Sequence, residues 1–177
     1  MRVITLITLV TLLASLAVTG INLEETLAPL AALVETSWIG YFTSTPAALF
    51  DHEIEWRAAL NGHVVKWLKW VNDIDFTMET YFFWDAEAEV IAFTQLTSNG
   101  THSRGSVESE DGKLVLVGSS LRSQGLVEFR QTFEIMPDGT LEDRYYTRGS
   151  SSWIPQHVIV YQRRSSETST QECSEEE

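Results

Sequence analysis

Four histidines, His52, His63, His102 and His157, are the side chains of this sequence best suited to exchange a proton near neutral pH or to offer a neutral nitrogen to a metal. They are widely spaced, so any joint chemistry depends on the fold. His63 follows the turn residue Gly62 and reads as a solvated rim residue, and His102 shares a polar face with Arg104 and Glu108. His52 falls in phase with Ile54 and Trp56, which places it on an inward face, and His157 falls in phase with Ile159 and Tyr161, opposite Val158, Val160 and Gln162, on a strand whose two faces are both fairly apolar. Two constellations have the residue types for acid–base work: His52 with Glu79 or Asp75, and Gln131 with Tyr145 and Asp143. The chain holds no phosphate-cradling glycine loop, no His-Glu-x-x-His, no Gly-x-Ser-x-Gly and no cysteine pair. Binding therefore ranks ahead of catalysis, and no catalytic residue is assigned.

Composition sets the outer limits. The 177 residues, 44% hydrophobic with six Trp, five Tyr and eight Phe, suffice for one domain with a substantial core. Twelve basic against 25 acidic residues give a net charge of −13. That balance argues against nucleic acid as a partner, because binding a phosphate backbone requires cations that displace counterions.

The two ends read differently from the body. Arg2 followed by the uncharged run Val3–Val18 and the small residues before Ile21 reads as an export signal over residues 1–20, removed or kept as an anchor. The expectation is a secreted or periplasmic protein with no stable membrane insertion once the signal is cut. Residues 165–177 are polar and acidic and read as a disordered tail, which carries the single cysteine, Cys173. Without an internal disulfide the body must be held by its core alone.

The body has one helical signal and many strand signals. Asn22–Val34 spaces Leu23, Leu27, Leu30, Leu33 and Val34 at helical intervals behind Asn22 as N-cap and Glu25 as its capping partner, although Pro29 interrupts the pattern. Residues 21–35 are thus expected to form a short helix. From 36 to 164 the chain shows ten runs rich in aromatic and β-branched residues: Thr36–Ser44, Asp51–Leu60, His63–Asn72, Asp75–Trp84, Glu89–Thr97, Thr101–Ser109, Lys113–Leu121, Leu126–Met136, Thr140–Arg148 and Ile154–Arg164. Asn61-Gly62 predicts a two-residue type I′ hairpin, and Asn99-Gly100, Asp111-Gly112 and Pro137-Asp138-Gly139 mark further turns. Asn99 also heads a formal glycosylation sequon. A meander this long is expected to close and so remove its edges, giving an all-β, ten-stranded antiparallel up-and-down barrel.

Alternation then selects the lumen. Ile54, Trp56, Phe129, Phe133, Val127 and Ile159 face inward as apolar walls, with Ala58 and Leu60 in the same phase. Gln131, Tyr145, Tyr161 and Arg122 supply polar handles, one of them cationic. The resulting expectation is a small apolar or amphipathic ligand held by Trp56, Ile54, Phe129, Gln131, Phe133, Tyr145, Tyr161 and Arg122. The runs around Trp67, Trp70, Tyr81 and Trp84 carry aromatics on both faces and read, alternatively, as a surface for a protein partner.

The segment from Leu27 to Val34, Trp38-Ile39-Gly40 opening the first strand, the ten strands, Trp153 and the closing Val160-Tyr161-Gln162-Arg163-Arg164 resemble the lipocalin-like calycin barrels and, more distantly, the haem-holding nitrobindins. The resemblance covers nearly all of residues 23–164, with Trp before Gly where lipocalins proper have Gly before Trp. It implies that the first strand pairs with the last and that Trp38 lies beneath Arg163 or Arg164. The nitrobindin likeness further implies haem as a cofactor with His157 as axial ligand, and some calycins are isomerases or cyclases.

Overall fold

A computed structural model describes residues 23–43, 51–122 and 125–165. The segment read as an export signal, Asn22 and residues 166–177 of the expected tail, Cys173 among them, lie outside the described residues. Ten strands follow in chain order: β1 (Thr36–Phe42), β2 (His52–Ala59), β3 (Val64–Val71), β4 (Phe76–Asp85), β5 (Val90–Thr97), β6 (His102–Glu110), β7 (Lys113–Arg122), β8 (Gly125–Ile135), β9 (Leu141–Arg148) and β10 (Trp153–Arg163). No boundary differs from the sequence reading by more than two residues. Each strand pairs antiparallel with its chain neighbours, and β1 pairs with β10, so the sheet is a closed up-and-down barrel. Closure leaves no unpaired edge to recruit another chain.

The seam explains several residue choices. Trp38 lies opposite Arg163 and Gly40 opposite Tyr161 in the β1–β10 register. Trp38 is 1% exposed, its Nε1 donates to Thr36 Oγ1 at 2.7 Å, and the Arg163 guanidinium stands 5.8 Å from its ring centroid. Arg164 turns instead to Glu53, at 3.0 Å. A Cβ on Gly40 would come within 2.5 Å of the Tyr161 ring, so glycine is what lets that ring cross the seam.

The amino-terminal segment differs from its expected form. Glu25–Leu30 is a 3-10 helix followed by turns, with Glu24 in the N-cap position and no side-chain cap bond. Pro29 accounts for this, since it lacks the N–H and crowds the preceding turn that an α-helix would need. The apolar stripe still performs its packing role: Leu27, Leu30, Leu33 and Val34 are buried in the barrel's core cluster. Each fully buried leucine contributes about 1.5–3 kcal/mol. Glu24 fixes the segment to the β2–β3 loop, its N–H bonding Gly62 O at 3.1 Å and its carboxylate meeting His63 Nδ1 at 2.9 Å.

The Asn61-Gly62 hairpin is also different. Ala59 pairs with Val64, which leaves a four-residue loop, and Leu60, Asn61 and Gly62 all have positive φ, at 49°, 57° and 87°. Leu60 is therefore swung outward, 73% exposed, and does not join the lumen face. The two-residue turn occurs at Asp111-Gly112 (φ 50° and 79°), between the paired Glu110 and Lys113.

Two packed layers fill the middle of the barrel. Trp56 stacks on Trp67 at 5.4 Å and on Phe82 at 5.5 Å, and the Phe133 ring edge closes on both tryptophans. Across the sheet, Phe82, Phe93, Gly105, Gly118 and Phe129 form one inward row. The two glycines make the space in which Phe93 and Phe129 approach to 6.0 Å, since a Cβ at 118 would stand 2.8 Å from the Phe93 ring.

Candidate functional site in the barrel mouth

Inward polar residues concentrate toward the end opposite the amino-terminal segment. Thr80, Gln95, Ser103 and Ser120 form a buried cross-strand row in which Gln95 Nε2 donates to Thr80 Oγ1 at 3.2 Å and the Ser103 and Ser120 hydroxyls lie 2.9 Å apart. On the other wall Gln131 Nε2 donates to Asp143 Oδ1 at 2.7 Å, and Arg122 donates to Tyr145 OH at 2.9 Å. Of these, Gln95, Ser120, Gln131, Arg122 and Tyr145 border a cavity of about 320 Å³, which Lys69 and His157 also line, with Trp67, Phe76 and Met78 as its apolar wall.

Lys69 is the unusual member. It occupies the inward phase of β3 with Val65, Trp67 and Val71 and is 8% exposed, and no carboxylate among the described residues lies within 4 Å of its ammonium. Burial pushes its amine pKa down, partly opposed by the charge of Asp143. Burial likewise raises the Asp143 carboxyl to about 6, with Lys69 and Gln131 pulling it back. His52 is lowered to about 3 by burial, then by Lys69 and His157; His157 is lowered to about 4 by burial and Lys69. Both imidazoles are neutral at pH 7. Several buried polar atoms find no partner among the described residues: Asp143 Oδ2, Tyr161 OH, both His52 nitrogens and the Nε1 atoms of Trp56 and Trp67. Burying such groups unpaired costs about 1–3 kcal/mol each.

The fold divides the residues read from the sequence into two sets. Gln131, Tyr145, Arg122 and His157 reach the cavity. Ile54, Trp56, Phe129, Phe133 and Tyr161 face inward and are buried, but none of them borders that open space; they pack the barrel. Gln131 and Asp143 meet directly, whereas His52 is separated from its expected partners because Glu79 and Asp75 are exposed. His63 and His102 are solvated. Of the four aromatics read as a docking surface, Trp67 faces the lumen at 1% exposed and Trp84 packs on the core, while Trp70 and Tyr81 are half-buried. The sequence reading passed over Lys69, Gln95 and Ser120. Their signal was phase: each alternates with buried apolar residues, on the face where a polar side chain is least expected.

A haem ligated by His157 would require apolar faces beside that ring. The imidazole is instead stacked on Tyr145 (5.2 Å, 13°), with Phe42 edge-on at 5.1 Å, and the adjoining space carries Lys69, Gln95, Gln131 and Arg122. This polar lining fits the faces of a porphyrin poorly. Comparison with models of known protein families and with curated proteins finds no match for this chain.

Proposed function

We propose that this protein is an exported small-molecule-binding barrel, calycin-like in character, whose ligand enters the mouth cavity and is amphipathic. The observation that carries this reading is a buried amine, Lys69, facing a cavity of about 320 Å³ without a carboxylate within 4 Å among the described residues. An oxygen-bearing head group accepts from Lys69, while Trp67, Phe76 and Met78 take the apolar body. Since Trp56, Phe129 and Phe133 already occupy the central lumen, the ligand is smaller and more polar than the alternation alone implied.

Native mass spectrometry of protein purified from its own host, followed by fluorescence titration with hexanoate and hexanol, tests the reading. A co-purifying small mass, with tryptophan emission quenched by added ligand, is expected. A hydrogen bond to a charged group contributes about 1.5–3 kcal/mol, so Lys69→Met is expected to weaken hexanoate by about tenfold or more. No added mass and no quenching would remove the binding function. The haem-holding alternative rests on the position of His157, and a Soret band on titration with haemin that disappears in His157→Ala would establish it in place of the proposal.

A further inference from the structure

We propose that Lys69 is a covalent capture residue, whose Nζ condenses with the carbonyl carbon of an aldehyde or ketone ligand in the mouth cavity to form a reversible imine. This rests on the reading of that cavity as a ligand site and specifies the ligand's reactive group.

The chain has three lysines, and the fold treats them differently. Lys66 lies on the outer face, its ammonium 5.1 Å from the Tyr81 ring centroid, and Lys113 is paired with Glu134 at 2.8 Å. Lys69 alone of the three lines the mouth cavity, where it is nearly enclosed and without an ion-pair partner among the described residues. A purely structural role accounts poorly for this placement, because lysine is rarely buried unless paired. The enclosure instead favours the uncharged amine, which is the nucleophilic form. Asp143 opposes this as the one carboxylate acting on Lys69, while neutral His52 and His157 add no charge and Arg122 lies farther out, bonded to Tyr145 at the exposed rim. The Gln95 and Gln131 amides beside the same space supply polar groups for the carbonyl oxygen, and Phe76 and Met78 an apolar wall for its substituent.

The reaction balances without a further reactant. The Lys69 nitrogen lone pair forms a C–N bond as the carbonyl π pair moves to oxygen, and an amine proton passes to that oxygen to give a carbinolamine. Loss of the hydroxyl with the second amine proton, as water leaving by the mouth, forms the C=N bond. Hydrolysis reverses both steps and releases the ligand.

The full chain is incubated with hexanal and sodium cyanoborohydride, and adducts are counted by intact mass and located by peptide mapping, with hexanol binding followed in parallel by tryptophan fluorescence. Among the three lysines, adduct formation about tenfold faster at Lys69 than at Lys66 or Lys113 is expected, the chain's α-amine being mapped separately. Lys66→Arg retains the Lys69 adduct, while Lys69→Met lacks it. Labelling spread evenly over the lysines, or slowest at Lys69, overturns the proposal, and the wild-type map decides this even if Lys69→Met fails to fold. Hexanol quenching without a Lys69 adduct overturns imine capture and leaves the cavity reading standing; neither quenching nor an adduct overturns both.

Discussion

Trp38 shows how one side chain combines burial, a hydrogen bond and a stacked cation at the point where the barrel closes. Replacing it by alanine removes a fully buried indole beside Ile54 and Thr36, so Trp38→Ala is expected to cost about 3–5 kcal/mol in urea melts. Arg163 is solvated, and its guanidinium at 5.8 Å from the ring makes an exposed cation–π contact of about 0.5–1 kcal/mol. Arg163→Lys should therefore shift the midpoint only slightly. A titration prediction also belongs to this scale. His52 and His157 fall from 6.5 to about 3 and about 4 on folding, so between about pH 4 and 6.5 the unfolded chain binds two protons that the folded chain declines. Asp143 rises from 3.8 to about 6, so over most of this window the folded chain keeps one proton that the unfolded chain has lost. Two against one, the histidines prevail, and the urea midpoint should rise as pH increases from 4 to 6. His52→Leu should flatten that rise, whereas Asp143→Asn should steepen it.

Among the elements, β6 and β7 owe their close approach to Gly105 and Gly118. A Cβ on Gly105 would fall 2.0 Å from Val117 O, so Gly105→Ala must separate paired backbones and is expected to cost about 3 kcal/mol or more. Gly112 sits at φ 79° with open space around it, and Gly112→Ala should cost only about 1 kcal/mol, the penalty of the left-handed conformation. Thermal melts of the two variants compare a packing glycine with a turn glycine. At this scale the strands were legible because period-two alternation and turn residues both act locally. The α-helix was misread because leucine spacing carries equally well into a 3-10 turn once Pro29 removes a donor. The β2–β3 loop was misread because Asn-Gly tolerates positive φ in a four-residue loop as well as in a two-residue one.

For the whole molecule, closure joins β1 to β10 across almost the full described chain, a contact of long range that must form against loop entropy. Stopped-flow refolding is expected in the millisecond-to-second range typical of non-local β topologies, roughly 10⁻³ to 1 s. Trp38→Ala should report whether the seam forms early, by slowing folding, or late, by speeding unfolding. The sequence by itself determined the all-β class, the number and limits of the strands and, for β2 and β8, the inward face, since these follow from alternation and turn chemistry between neighbouring residues. It also determined that Trp38 would meet the closing strand's arginines, insofar as the calycin resemblance carried that pairing. Only the tertiary structure decided how the lumen is divided. Whether Trp56 and Phe133 line a space or fill it depends on Trp67 and Phe82 arriving from other strands. Whether Lys69 meets solvent, a carboxylate or a cavity depends on register across β2, β3 and β4. One strand's pattern specifies a face, but the volume enclosed, and the partners left wanting within it, are properties of ten faces brought together.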